Sequence, residues 1–264
     1  MMFVPARERL LRRRGFSLVE IIVAIAIVAL LISLLVPVIS GAGRRALSMQ
    51  CQSNLRQLFA MAETYSLRSN GRYPVAVRYE REAGEPFTTI AWDFEQSRAH
   101  VDLGPLWKHV AEPGKVQQCP ECDACASTFG NDPYTGYNYN TTFIAGEARF
   151  PSLGWSSVRP GLPRSQWRRT DTTALFGDGG WRGGANKFMR APLNTVERDL
   201  QVVYAGGQAF RHGGTTNVAW LDGHVSAVAD PRPGEFATEN LLRDVMNYRA
   251  NGFLSDDDSA YDPR

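Results

Sequence analysis

From Phe16 to Ile39 the chain is apolar almost without interruption: 24 positions carry a single charge, Glu20. At about 1.5 Å per helical residue this run reaches roughly 36 Å, enough to span a bilayer with some tilt. Gly41-Ala42-Gly43 follows, a stretch that could loosen the helix. From Arg44 the pattern becomes a helical stripe. Leu47, Cys51, Leu55, Leu58, Ala62 and Tyr65 recur at steps of three or four, with Arg44, Arg45, Arg56 and Glu63 elsewhere around the helix. One face of this segment is predicted to lie against a core. Ser69-Asn70-Gly71 stops the helix, and Pro74 prevents its restart.

Residues 75–210 are rich in Gly, Pro, Trp and Tyr, and short β-like runs stand at Thr88–Phe94, Tyr137–Ile144, Thr173–Phe176 and Leu200–Tyr204. The stretches around 145–171 and 178–196 read as surface loops. Asn217–Leu221 and His224–Val228 flank Asp222-Gly223, a two-residue type I′ turn signal. That hairpin (217–228) would pair Trp220 with Val225, Val218 with Ala227 and Leu221 with His224. Glu239–Tyr248 reads as a short helix with Leu241, Leu242, Val245 and Tyr248 inward. Asp256-Asp257-Asp258 and Asp262 form an acidic tail expected to be disordered. There is no internal repeat. The fold class is α+β, and the residues beyond the apolar run suffice for one domain with its own core.

Glu20 is the informative exception in the apolar run. A carboxylate at the centre of a membrane helix costs roughly 2.5–3.5 kcal/mol, less near an end, so it wants a partner. Arg7, Arg9, Arg12, Arg13 and Arg14 precede the run and would hold that end in the cytoplasm, so that the remainder is exported. A secretory signal peptide would have a shorter apolar core and an Ala-x-Ala-like site, neither of which is present. A generic anchor leaves Glu20 unexplained.

The string Gly15-Phe16-Ser17-Leu18-Val19-Glu20 resembles the signal of type IV prepilins and pseudopilins. The resemblance implies cleavage between Gly15 and Phe16 by a prepilin peptidase and N-methylation of Phe16. It also implies that Glu20 neutralises the terminal ammonium of a neighbouring subunit. Pro37 falls where many pilins carry a helix-kinking proline. An ammonium and a carboxylate, each costly alone in lipid, become tolerable as a pair, and a head-to-tail contact that does not close into a ring yields filaments. The implied organisation is a leader (1–15), a transmembrane helix (16–40), an amphipathic spine (41–70) and an exported β-rich head (71–264). The pilin-like plan packs the long helix on an antiparallel sheet. His212 to Asp222-Gly223 is also similar to the His-x9-Asp-Gly pattern of a prepilin-like family abundant in planctomycetes. Cys51-Gln52-Ser53-Asn54-Leu55-Arg56-Gln57-Leu58 and Gly71-Arg72-Tyr73-Pro74 also look like that family, with weaker echoes at Cys119-Pro120 and Tyr137-Asn138-Tyr139-Asn140.

The net charge of the chain is +2, and the leader's five arginines and one glutamate account for +4, leaving the remainder at −2. Nothing here argues for nucleic acid. Four cysteines suit an oxidising exterior. Cys119, Cys122 and Cys125 have a spacing that can wrap a metal or iron–sulfur centre, but no fourth ligand stands nearby. Redox activity of Cys119-Pro120-Glu121-Cys122 is a further alternative, and structural disulfides are the expectation. The family echo favours Cys51 with Cys119, which leaves Cys122 with Cys125.

His212, Asp222 and His224 are chemically sound ligands or acid–base groups, but Asp-Gly is also what the turn demands. Asp178, in Phe176-Gly177-Asp178-Gly179-Gly180, carries the same ambiguity. No cofactor is expected. The exception considered is Ca2+, held by some major pseudopilins in C-terminal loops, for which Asp178, Asp222 or residues 256–258 would supply oxygens. No nucleophile elbow, zincin helix or phosphate-binding loop occurs, so no enzymatic activity is expected. The preferred reading is a single-pass inner-membrane subunit with a periplasmic head, in a type IV pilus or type II secretion pseudopilus. Its partners would be the peptidase, other pilin or pseudopilin subunits, the inner-membrane assembly platform and the lipid bilayer. The rival is a monomeric anchored binding protein or metal-dependent hydrolase using His212, Asp222 and His224.

Overall fold

The computed structural model describes residues 16–80, 88–97, 100–108, 116, 118–122, 125, 136–149, 157–193 and 206–264. Contacts divide the chain into two compact units at the Gly43–Arg44 junction. The first helix, α1 (Leu18–Arg68), is continuous through Pro37 and supplies residues to both. In the first unit, every described side chain from Leu18 to Val36 is exposed. This part of α1 is long and apolar enough to cross a membrane.

In the second unit the predicted stripe is largely realised. Cys51, Leu55, Leu58 and Ala62 are fully buried, whereas Leu47 stays at the surface. Each buried leucine contributes about 1.5–3 kcal/mol. The helix ends where the sequence predicts: the N–H groups of Ser69 and Gly71 both donate to Ser66 O, with Asn70 and Gly71 at positive φ.

The stripe packs against a β-rich body built on two sheets. The first contains β1 (Val77–Glu80), β2 (Thr88–Ala91), β3 (Phe94–Gln96), β4 (Val101–Leu103), β6 (Gly146–Arg149) and β7 (Ser157–Pro160), in the order β4-β3-β2-β1-β6-β7. All its pairs are antiparallel except β1 with β6. The second is organised by β8 (Ala174–Gly180), which pairs antiparallel with β5 (Tyr137–Asn140), β10 (Gly207–Ala209) and β11 (Thr216–Trp220). β12 (Val225–Val228) and β13 (Asn251–Gly252) extend it, and β9 (Phe188–Met189) joins β5 in parallel. The long helix with a mainly antiparallel sheet region is the α+β, pilin-like architecture read from the sequence.

Several local expectations are corrected. The stretch 145–171 holds β6 and β7 rather than a plain surface loop. The stretch 178–196 is not a surface loop either: Ala185–Ala191 is buried, and Lys187 reaches Asp93 across 2.5 Å. All seven residues of β8 are buried. Its glycines serve close approach rather than turning: a Cβ on Gly177 would lie 2.2 Å from Gln208 Oε1, and one on Gly179 2.3 Å from Asn186 O. The run Thr88–Phe94 is broken by buried Trp92 and Asp93 into β2 and β3. In Tyr137–Ile144 the strand stops at Asn140, whose side-chain oxygen accepts from the Phe143 N–H and caps a single π-helical turn, Thr141–Ala145. The predicted run Leu200–Tyr204 lies outside the described residues.

The 217–228 hairpin forms, one residue out of the predicted register. Val218 faces Ser226 and Ala219 faces Val225. Trp220 N–H donates to His224 O, closing a three-residue loop of Leu221, Asp222 and Gly223. A type I′ turn requires positive φ at both Asp222 and Gly223, and only Gly223 adopts it, at +97°. The slip places Leu221 in the core and brings Gly223 against the Phe59 ring. The short helix α2 (Glu239–Val245) buries Leu241 and Val245, while Tyr248 is exposed.

The acidic tail is ordered rather than disordered. Tyr261 is fully buried; its hydroxyl accepts from Leu254 N–H at 2.9 Å, and its carbonyl accepts from the Asn140 side chain at 2.8 Å. Pro263 O accepts from the N–H groups of Arg168 and Arg169. One aromatic anchor outweighs the acidic composition. Tyr261→Ala should therefore destabilise the head by about 3–5 kcal/mol, and Tyr261→Phe by about 1 kcal/mol, read by chemical denaturation. Equal stability of Tyr261→Ala and wild type would show that the tail is not part of the core.

Candidate functional site

The N-terminal candidates sit where α1 begins. Gly15 lies outside the described residues, and Phe16 is exposed. Ser17 N–H donates to Glu20 Oε2 at 2.7 Å, while Glu20 N–H donates to Ser17 Oγ at 3.2 Å. This reciprocal pair is a capping box: it satisfies two donors that a helix start leaves open, and it sets the carboxylate near the positive end of the helix dipole. Ser17-Leu18-Val19-Glu20 carries its Ser-x-x-Glu signature, so this role was legible beside the assembly role. The carboxylate that would meet a neighbour's ammonium is thus held one residue from its own chain's Phe16.

A second centre lies inside the head. Cys51 on α1, Cys119, Asp178 on β8 and His212 before β11 are all buried, with one donor atom from each within 4.8 Å of the others. Cys51 S–H donates to Asp178 Oδ1 at 3.0 Å, and Asn217 N–H donates to Asp178 Oδ2 at 2.7 Å. His212 Nε2 stands 3.2 Å from Asp178 Oδ2 and 3.7 Å from Cys119 Sγ, and its Nδ1 is 3.3 Å from Glu121 Oε2. The imidazole is positioned by a tight turn in which His212 and Thr215 exchange backbone hydrogen bonds; Gly213 and Gly214 take the positive φ values it needs. Arg211 reaches back from the same turn, donating to the carbonyls of Gly136 and Gly179.

The electrostatics are those of a shielded, mutually satisfied group. Burial would raise Asp178, but the hydrogen bond from His212 and the Arg211 charge hold it below the usual carboxylate range. Burial would likewise lower His212, yet Asp178 and Cys119 as acceptors push it up to about 10. Cys119 is lowered to about 6, first by its contact with Cys51 and then, against burial, by His212. Burial pushes Cys51 well up. An imidazolium facing a carboxylate and a thiolate is the arrangement these shifts describe.

This geometry regroups the sequence candidates. His212 precedes β11 and is buried, whereas Asp222 follows the strand on an exposed turn. Among the described residues the Asp222 and His224 side chains pair with each other, at 2.6 Å on the exposed turn, where the His224 ring stacks on Trp220. His212, Asp222 and His224 are therefore not one constellation. Cys122 and Cys125 are joined as a disulfide, and Cys51 and Cys119 are free thiols, not the pair the resemblance favours. Each free sulfur has a polar partner instead, Asp178 for one and His212 for the other. Nor is an oxygen cage gathered among the described residues: Asp178 faces sulfur and nitrogen, Asp256 and Asp257 accept from Gly234 and Ser259 N–H groups, and Asp258 is buried.

Residues 10–36 match the family model described as the prokaryotic N-terminal methylation motif. The match covers the N-terminal segment alone, and there it supports a type IV prepilin-like or pseudopilin-like protein. No curated protein and no solved structure gives a significant match. The motif and the apolar helix together point to a membrane-anchored protein, and the motif implies peptidase processing and assembly with other pilin subunits in general.

What the sequence did not disclose was the joining of Cys51 and Cys119 to Asp178 and His212. A signal was present, since Cys51 occupies the buried stripe of α1 and Asp178 sits between glycines that admit close neighbours. Asp178→Ala should cost the prepilin-like head about 3–5 kcal/mol, because it strands a buried cation. Asp222→Ala, at the exposed turn, should cost no more than about 1 kcal/mol. Urea titrations of both variants test the contrast, and equal losses would contradict it.

Proposed function

We propose that the chain is a structural subunit, cut by a prepilin peptidase between Gly15 and Phe16 and assembled in a type IV pilus or type II secretion pseudopilus. The observation that carries this reading is the methylation motif over residues 10–36, continued by an α1 wall exposed from Leu18 to Val36 with Glu20 as its only charge. Among the described residues this wall has no partner, and lipid before assembly or neighbouring helices after it would cover it. The leader arginines favour a cytoplasmic N-terminus in the inner membrane and an exported head.

Cutting after Gly15 would create an ammonium at Phe16. In lipid this charge needs a counter-charge, and Glu20 of a neighbouring subunit supplies one by exchanging its capping bond to Ser17 for an intersubunit pair. The contact is head-to-tail, so repetition gives a filament. The role is structural, without catalysis by the subunit itself, and asks nothing of the exposed Asp222–His224 turn.

Co-expression with the cognate peptidase, followed by intact-mass and N-terminal analysis, tests this reading. Wild type should begin at N-methyl-Phe16, and Gly15→Ala should remain uncut. Glu20→Ala should be cut and keep a folded head, yet lose at least tenfold in cross-linked or filament-associated subunits. An uncut wild type, or a Glu20→Ala chain that assembles normally, would overturn it.

A further inference from the structure

We propose that the head holds a zinc-class divalent cation between Cys51, Cys119, Asp178 and His212. Four donors of the kinds that bind Zn2+ converge there: two sulfurs, one imidazole nitrogen and one carboxylate. A tetrahedral site with bonds of about 2.0–2.3 Å has donor–donor edges of about 3.3–3.8 Å. The contacts seen are 3.0 Å from Cys51 Sγ to Asp178 Oδ1, 3.2 Å from His212 Nε2 to Asp178 Oδ2 and 3.7 Å from His212 Nε2 to Cys119 Sγ. Sulfur and imidazole thus meet different oxygens of Asp178, so loading turns the carboxylate onto the ion, with one donor atom of each residue already within 4.8 Å of the others.

The surroundings are built as those of a metal site are. His212 presents Nε2 to the centre while Nδ1 stands 3.3 Å from Glu121 Oε2, not hydrogen-bonded but close enough that, in the loaded site, the carboxylate would orient the ring and raise ligand basicity. On loading, Cys51 gives up its S–H proton and His212 its Nε2 proton, which frees Asp178 Oδ1 and the imidazole lone pair to ligate. Two thiolates, one carboxylate and a dication leave a single negative charge, which Arg211, donating to Gly136 O and Gly179 O beside the cluster, offsets. A disulfide between Cys51 and Cys119 uses the same atoms less completely. It removes the thiol that donates to Asp178 and the sulfur that faces His212, leaving both buried charges with fewer partners. The centre is buried, which suits a closed structural site rather than one with an open catalytic position.

The test uses the full chain in detergent, reduced, stripped with a chelator and titrated anaerobically with Co2+. One Co2+ per chain should bind, with thiolate-to-cobalt charge transfer and the visible bands of a tetrahedral site, and Zn2+ should erase the spectrum. Cys119→Ser should lose a large part of the charge-transfer intensity and the double variant Cys51→Ser, Cys119→Ser all of it, whereas the double variant Cys122→Ser, Cys125→Ser should keep it. Glu121→Gln, which retains all four ligands, should bind Zn2+ about 10–100-fold more weakly. Gly15→Ala should bind as wild type does, so the site and the processing reading stand or fall separately. Reduced wild type with no such bands at millimolar Co2+ would overturn the proposal. So would a purified chain whose mass and peptide map place a disulfide between Cys51 and Cys119.

Discussion

The Asp178 carboxylate is the constraint around which the head is arranged. A buried anion is tolerated only when its oxygens are occupied and a counter-charge is near, and each requirement is met from a different part of the chain. α1 supplies the Cys51 S–H, β11 the Asn217 N–H, and the turn before β11 the His212 imidazole. The flanking glycines of β8 let Gln208 and Asn186 approach without a Cβ in the way. Moving any of these segments by a residue would leave the carboxylate short of a partner, so the cluster fixes the register of helix, strand and turn together.

The two ends of the molecule use acidic side chains in opposite ways. Glu20 lies exposed and is held by one serine of its own chain, a bond that is local and easily exchanged. Asp178 is held by residues distant in sequence and shielded from solvent. The first suits a group that changes partners between subunits, and the second suits one whose partners all come from within the head. The exposed Asp222–His224 pair belongs to neither kind, since it shapes a turn whose neighbouring Leu221 fills the core.

How much of this was legible follows the range of the interactions. The apolar run, the helical stripe with its stop at Ser69-Asn70-Gly71, and the existence of the 217–228 hairpin are local patterns, and they read correctly. The hairpin register failed because Asp-Gly serves both two- and three-residue turns, and burial of Leu221 selected the second. The tail failed because composition cannot weigh one tyrosine that finds a cavity. Phe176-Gly177-Asp178-Gly179-Gly180 looked like a turn because glycine signals both freedom and closeness. Only the strands crowding β8 reveal which applies. The cluster was hidden for the same reason: its four members are far apart in sequence, and no spacing rule links them.

The chain order of that cluster carries a kinetic consequence. Cys51 and Asp178 are separated by 127 positions, and Cys51 is always made first. Closing so long a loop is slow, although each doubling of length adds only about 0.6 kcal/mol of entropy. Until β8 and the His212 turn arrive, the Cys51 face of α1 is uncovered and its thiol is open to oxidants and to stray thiols. The last segments to emerge are therefore the ones that protect the first, and the head becomes chemically inert only when its chain is nearly complete.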